Sequence, residues 1–427
     1  MAHGLSVPAV LEERAPAMRR FARALGAHHG ISIGEPDDWD AAIRLATTGP
    51  LAVPLLAIDE LPYLLEHSPE LESVLQHVVD EARDGDGTRI VICGSSLSVM
   101  TGLLAGSRSL RGRADLELRL QPFDHRVARA YWGIDDPALA FRLDAVLGGL
   151  PGYRVLARSA PSSVEAFPQW LAENVLSPSA ALYREAEHVL GEDRAVDDRA
   201  IHRSLVAAIA AGEHRPSRIA GRVGRAQTSL STAFRVLIDA GFVQNDAGLL
   251  SGRDPLYRLA DPIVRFLATC VDPWRPMIEE GRVDATCRNA LPAWQSQVLG
   301  PHLERIARTW AAVYASPEAL GGEPGIVGRA EVSDPVARVR RELDLVVLHP
   351  GERPGPGAQV LAVGECKLHA TADSIAQLDR AADLLEARGH GRPARKLLIA
   401  ATAADDLLAR IDTRPDMDLV DLARFYA

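Results

Sequence analysis

The sequence predicts a multidomain α/β protein. It reads as an open unit with a parallel sheet, a small unit of three helices and a hairpin, and a second α/β unit. Three stretches carry that prediction. "LLAIDELPYLL" at 55–65 runs apolar residues into the adjacent acids Asp59 and Glu60. Residues 201–262 show three segments of helical period and then two short strands,. "RVRRELDLVVLHPGERPGPGAQVLAVGECKLH" at 338–369 sets two apolar strands around a Gly/Pro-rich loop. At 427 residues the chain is too long for one core,.

Composition narrows the class. Hydrophobic residues make up 47% and charged residues 24%, which is ordinary globular usage and not that of a disordered chain,. There is no uncharged apolar run of about 18 residues, so no membrane span is expected. The start, "MAHGLSVPAVLEERAPAMRRF", lacks an apolar signal region, and a cytoplasmic protein is expected,. Cys93, Cys270, Cys287 and Cys366 are scattered, as befits reduced thiols rather than disulfides or zinc,. A net charge of −10 argues against bulk attraction to nucleic acid and leaves room for a local basic face,. Lys367 and Lys396 are the only lysines in an arginine-rich chain.

In the first unit, the strand ending in Asp59-Glu60 has the form in which a P-loop ATPase holds magnesium and primes its water. Asp59 is then the metal ligand and Glu60 the catalytic acid. A second apolar strand, "RIVICGSSLSVM" (89–100), runs into Ser95 and Ser96, whose hydroxyls suit a γ-phosphate. Arg111 and Arg113 flank a glycine and can stabilise phosphate charge. A third alternating strand is expected at "LELRL", and "GGLPGYRV" (148–155) breaks two helical stretches. The plainer readings are an acidic helix cap for Asp59-Glu60 and a solvated loop pair for the arginines. The phosphate loop itself, G-x-x-x-x-G-K-[ST], is absent, because neither lysine follows such a loop.

On "AIDELPYLL", "ICGSSLSVM", "LRGRADLEL" and "GGLPGYR", the chain from about residue 15 resembles the archaeal-type P-loop ATPases of prokaryotes, STAND/AAA-like proteins. The resemblance implies an ATPase domain, a winged helix and a C-terminal domain of unknown function related to PD-(D/E)xK nucleases. It also implies ATP as ligand and a P-loop some tens of residues ahead of the first residue. The chain departs from the family at that motif. Either the true start lies upstream, or the domain is truncated; weak or absent nucleotide binding is expected.

The middle segment reads as a winged helix-turn-helix. Ile201, Leu205 and Ile209 mark one helix, "PSRIAGRVG" opens on Pro216, and Leu230, Phe234, Leu237 and Ile238 mark a third that Gly241 ends,. "FVQNDAGLL" and "LYRLAD" read as a hairpin with its turn at Asn245-Asp246. Arg222, Arg225, Gln227 and Arg235 suit contacts to DNA phosphates and bases. The alternative is a packing or protein-interaction module.

In the C-terminal stretch, strand alternation puts Glu342 and Asp344 on one face and Leu343, Leu345 and Val347 on the other. Glu365 and Lys367 share a face of the second strand, with Cys366 pointing away. If the strands pair antiparallel, Asp344, Glu365 and Lys367 converge in a PD-(D/E)xK arrangement. Two carboxylates then hold Mg²⁺, and the lysine orients or deprotonates the water or stabilises the oxyanion. The nuclease pattern adds an acid from the preceding helix, for which Glu304 stands, and a polar residue from the following one, Gln377. The plainer reading is a structural ion pair of Lys367 with Asp344 or Glu365.

The expected domains are therefore 1–155, a truncated P-loop NTPase-like parallel-sheet domain; 156–195, a helical lid or linker; 196–275, the winged helix-turn-helix; and 285–427, a restriction-endonuclease-like α/β domain. Two function classes follow. One is an ATPase-family regulator with an incomplete nucleotide site and a Mg²⁺-dependent nuclease-like effector. The other is a non-catalytic DNA-binding or protein-interaction scaffold. The expected partners are DNA, a protein or a second copy, and no membrane.

Overall fold

The structure is a computed structural model that describes residues 4–82, 87–106, 108–192, 199–251 and 255–427. The chain divides into two compact units, with the main break between Leu120 and Gln121. No helix among the described residues is long and apolar enough to cross a membrane.

The first unit holds a parallel sheet of order β1-β2-β3, with β1 at Leu5–Pro8, β2 at Leu55–Asp59 and β3 at Arg89–Ile92. Helices Arg14–His29 and Trp39–Thr47 cross from β1 to β2, and Leu61–His67 and Leu71–Ala82 cross from β2 to β3. Phe21, Leu25, Trp39, Ile43, Leu56, Ile58 and Leu75 are fully buried between them. Parallel strands joined by helices end together, so their C-terminal ends share one edge. β3 is less buried than its apolar sequence suggests, since Val91 is 48% exposed. The strand expected at "LELRL" does not form: residues 116–120 pair with no strand, and Leu116, Leu118 and Leu120 are exposed.

The first-domain boundary expected near 155 falls at 120. The reason is packing. Trp132, Phe141, Leu147, Phe167 and Tyr183 bury their side chains with Ile263, Leu303, Ile306 and Trp310. Residues 121–190 are thus part of the second unit's core rather than an appendage of the first sheet or a separate lid. The expected boundary at 195–196 lies outside the described residues. Gly149 is needed here: a Cβ on it would meet the Phe123 carbonyl oxygen at 1.9 Å, where Phe123 N–H donates to Gly149 O at 3.0 Å.

Helices Arg199–Ala210, Pro216–Val223 and Ser231–Asp239 pack around Leu205, Ile219, Leu230, Phe234 and Leu237. Strands β4 (Val243–Asn245) and β5 (Tyr257–Leu259) follow as an antiparallel pair. The expected tight turn at Asn245-Asp246 is instead the start of a longer loop. Leu249 N–H donates to Arg329 O at 2.8 Å, and Gly355 N–H donates to Leu249 O at 2.7 Å. Leu249 and Leu250 sink into the next core, which anchors the connection at these two residues.

That next core surrounds a five-stranded sheet of order β10-β9-β8-β7-β6. Its strands are β6 (Val327–Asp334), β7 (Val339–Leu348), β8 (Val360–Ala370), β9 (Arg395–Ala403) and β10 (Met417–Asp421). β6, β7 and β8 are antiparallel, while β8, β9 and β10 run parallel. Helix Gly300–Val313 covers one face and Ala372–Ala387 the other, which is why β7 and β8 read as nearly continuous apolar runs,. The alternation expected along β7 is broken. Pairing jumps from Ala330↔Leu343 to Gly328↔Val346, so β7 carries an extra residue,. Leu343 therefore packs with the Ala372–Ala387 face, and Leu345 and Val347 with the opposite one.

Candidate functional site

In the first unit the C-terminal sheet edge gathers three of the expected residues. Glu60 has φ 56° and ψ 46°, a left-handed conformation that costs an acid of its kind about 1 kcal/mol or more,. The bend turns its carboxylate to the end of β3. There Ser95 N–H donates to both Glu60 oxygens at 3.0 and 3.1 Å, and Ser95 Oγ donates to Oε2 at 3.1 Å. Gly94 permits the approach, since a Cβ would meet Pro62 Cδ at 2.6 Å. Asp59 Oδ1 accepts from Cys93 Sγ at 3.0 Å, and this bond with burial pushes the thiol up to about 11. Sequence reading treated Cys93 as a scattered thiol; its place at the end of β3, opposite Asp59, was the available signal. Ser96 is buried at the start of helix Leu97–Leu103.

The two arginines are committed elsewhere. Arg113 makes a paired contact with both Asp80 oxygens at 2.8 Å and donates to Ser109 O. Arg111 donates to Gly106 O at 2.7 Å.

In the helix-and-hairpin body, Arg222, Arg225, Gln227 and Arg235 are all exposed, on Pro216–Val223, the short turn after it, and Ser231–Asp239.

The densest chemistry lies where β7, β8 and helix Gly300–Val313 meet. The strands are antiparallel, with Leu345 opposite Gly364, so Asp344 stands beside the middle of β8, next to Glu365 and Cys366. Cys366 N–H donates to Asp344 Oδ2 at 2.9 Å, and Lys367 Nζ donates to Glu365 Oε1 at 2.7 Å. Burial, then the neighbouring charges of Glu304 and Glu365, push the Asp344 pKa well above the carboxylate range. Burial opposes the Lys367 charge, but the Glu365 bond and the charges of Glu365 and Asp344 outweigh it, and its pKa is raised. Lys367 is thus a charged donor at neutral pH. Cys366 lies on the other face from Glu365, yet it does not leave the site. Burial and the charges of Asp344 and Glu304 drive its thiol pKa well up, so it stays neutral.

Glu304 is near Asp344, but two arginines hold it: Arg258 at 3.3 Å and Arg308 at 3.6 Å. Burial still raises its pKa against both. Arg308 also donates to Asp344 O at 2.9 Å. Arg258 further contacts Asp246 at 3.3 Å and Glu342 at 2.9 Å, and Glu342 also takes Arg329 at 3.0 Å. Gln377 is half-buried on Ala372–Ala387. Sequence reading missed Arg258 and Arg308, whose partners are remote in the chain.

Mg²⁺ commonly uses one or two carboxylates and completes its shell with water and phosphate oxygens. Asp344 and Glu365 fit that pattern as a pair whose crowding a cation would relieve. No group of three or more His, Cys, Asp or Glu among the described residues is disposed to hold a metal. Glu304 is thus not ready as a third ligand while Arg258 and Arg308 hold it.

Taken by class, this is an α/β protein with acids at the C-terminal edge of one parallel sheet and an acid-acid-lysine cluster on another sheet. No family profile matches the chain. Over 281 residues it is 23% identical to the uncharacterized protein MJECL04 of Methanocaldococcus jannaschii, covering 64% of this chain and 59% of that protein. The chain therefore spans less than two thirds of that relative's length. Two solved structures are similar in part. The Walker-type ATPase PABY2304 of Pyrococcus abyssi has a TM-score of 0.42 at 16% identity, over 62% of this chain and 83% of that one. Protein VC1899 of Vibrio cholerae has a TM-score of 0.23 at 10% identity, over 99% of this chain and 95% of that one. At these scores neither carries an argument about function.

Proposed function

We propose that the chain is an ATPase-family regulator with an incomplete nucleotide site, joined through a winged helix to a Mg²⁺-dependent nuclease-like domain. The observation that carries the reading is the cluster of Asp344, Glu365 and Lys367 on adjacent antiparallel strands. Asp344 and Glu365 would hold the ion, which when bound supplies Lewis acidity and an activated water. Lys367, charged through its contact with Glu365, would donate to a non-bridging phosphate oxygen or orient the water. Arg258 and Arg308 hold Glu304 away from free solvent. The test is nicking of plasmid DNA with Mg²⁺ or Mn²⁺. Cleavage that Asp344→Asn and Lys367→Met each remove supports the reading, and no cleavage by wild type in either metal rejects it.

A non-catalytic scaffold is the second reading. Leu249 and Leu250 favour it, because these two residues of the connection are buried in the core beside β6 and are not available to DNA. The exposed arginines decide between DNA and packing. In Arg225→Ala/Arg235→Ala, DNA binding is expected to weaken and its salt slope to fall by about one unit per lost phosphate contact. A slope unchanged in filter-binding titrations removes this face from consideration.

We propose that the acid pair is part of an ATPase-type nucleotide site. Glu60 is held by Ser95 and Asp59 by Cys93, with no lysine loop to anchor phosphates. Calorimetric titration with ATP and Mg²⁺ is expected to reveal no component tighter than about 100 μM that Asp59→Asn abolishes. A tighter component lost in that variant would mean that another segment replaces the loop.

A further inference from the structure

Between the helix-and-hairpin body and helix Gly300–Val313 lies a small, partly enclosed cavity with about 30 Å³ of water-accessible volume. Its lining includes Arg258, Arg265, Thr269, Gln297, Arg305 and Arg308, and no Asp or Glu. Four guanidinium groups around one cavity is the opposite of what the net charge of −10 suggests.

Three of the four arginines have carboxylate partners. Arg258 contacts Asp246, Glu304 and Glu342; Arg308 contacts Glu304 and Asp246; Arg305 contacts Asp144 at 3.2 Å. Arg265 is different. It is only 7% exposed, and its Nε and Nη2 have no hydrogen-bond acceptor among the described residues. The charges of Asp144 and Asp261 favour its cationic form without accepting from its Nε or Nη2. Asp261 caps its own helix at Val264 N, 3.0 Å away, and Asp144 Oδ2 accepts from Arg305 Nη2 at 3.2 Å with His302 Nε2 3.1 Å from it. Burial, then the charge of Arg305, brings the Arg265 pKa down to about 10, which still leaves it cationic at neutral pH. Thr269 Oγ1 and Arg305 Nε on the same lining are also buried without an acceptor.

Buried donors without acceptors are rare, and a buried cation without a hydrogen-bonding anion is costly. Arginine's planar fork matches a phosphate group through two parallel bonds. We propose that this cavity binds the phosphate group of a small molecule, with Arg265 as its principal anchor and Thr269 and Arg305 as further donors. A cavity this small and partly enclosed has room for an anionic group of phosphate size and not for a polymer. The cavity adjoins the Asp344 cluster through Arg308, which donates to Asp344 O, but its anchor Arg265 has no part in that cluster, and the proposal does not depend on nuclease activity.

The test is calorimetric titration of the full chain with inorganic phosphate and with AMP, in excess EDTA and at matched ionic strength. Phosphate is expected to bind saturably, with Kd of about 1 mM, a value typical of a single anion contact site. Binding of AMP about tenfold or more tighter identifies a nucleotide as the source of the phosphate, and equal affinity identifies free phosphate. Arg265→Met is expected to weaken both probes about tenfold or more while leaving the melting temperature of the ligand-free protein unchanged or higher, since it removes an unpaired buried charge. Where Arg265→Met does not fold, Thr269→Val is read instead, with a loss of about threefold expected for a single donor. The proposal is overturned by the absence of saturable binding of either probe to wild type. Affinity that survives unchanged in the variant read overturns it equally.

Discussion

In metal-free buffer at pH about 8, Asp344→Asn is expected to melt above wild type, by about 2–4 °C for each kcal/mol of relieved charge. Adding Mg²⁺ is expected to reverse the order. Burial and the charges of Glu304 and Glu365 hold the Asp344 pKa above its unfolded value. The sign follows from linkage. Folding favours the protonated acid, so its contribution is full below the ordinary carboxylate pKa of about 4 and is lost as pH rises through the higher folded value. At pH about 8, well above the unfolded value, folding costs the wild-type acid either a buried charge or the uptake of a proton, and asparagine carries neither cost, while its amide oxygen still accepts from Cys366 N–H,. Magnesium binds the folded arrangement and not the unfolded chain, so it raises the wild-type melting temperature alone. Scanning calorimetry with and without Mg²⁺ at two pH values measures both effects. A wild type indifferent to Mg²⁺, with Asp344→Asn less stable at every pH, would mean that Asp344 serves only as the acceptor of the β8 backbone.

How far this site could be read from sequence depends on which residues are considered. Glu365 and Lys367 lie two apart on one strand, so period-two alternation is enough to pair them,. Asp344 was reached for a less secure reason. Plain alternation groups Leu343 with Leu345, whereas the extra residue in β7 sends them to opposite faces. A bulge depends on how the neighbouring strand β6 pairs, and no local pattern in β7 announces it. Lysine scarcity was a weaker guide than it first looks. Lys396 is as rare as Lys367, yet it is buried and bonded to Asp379 and Asp416 at 2.6 Å each. Rarity therefore marks a lysine that has a specific partner, structural or catalytic.

The larger misreadings share one cause. "LELRL" alternates as a strand should, but a strand needs a partner, and its leucines remain exposed,. The four-residue β1 shows no period in sequence because "LSVP" is too short, and only its parallel pairing with β2 makes it a strand. The boundary near 155 was placed at a glycine-proline break, a local signal. The actual division follows which apolar faces meet, and residues 125–183 meet the 263–311 helices. Contacts between distant segments decide these features, and composition along the chain does not record them.

The same holds for the residue on which the largest stability effect is expected. Arg258 sits in the short hairpin strand "YRL", where nothing local distinguishes it from an exposed arginine. In the fold its side chain is 11% exposed and touches Asp246, Glu304 and Glu342. Removing one partner of a buried charge cluster leaves the others uncompensated, a loss of about 3–5 kcal/mol. Arg258→Met keeps much of the buried volume, so the loss expected at neutral pH is chiefly electrostatic. Its pH dependence separates it from a packing defect. Glu304 already has a raised pKa despite Arg258, and loss of the arginine raises it further. A raised acid gains stability as pH falls, so the deficit of Arg258→Met should narrow toward pH about 5. Glu304→Gln added to Arg258→Met should likewise recover part of the loss at neutral pH, because one unpaired charge is gone. Urea unfolding of wild type, the single variant and the double variant at both pH values makes the comparison. A deficit below about 1 kcal/mol would put the cluster in the range of solvent-exposed pairs. A large deficit that neither acid nor Glu304→Gln relieves would mean that the methylene stem of Arg258, and not its charge, holds the hairpin to helix Gly300–Val313.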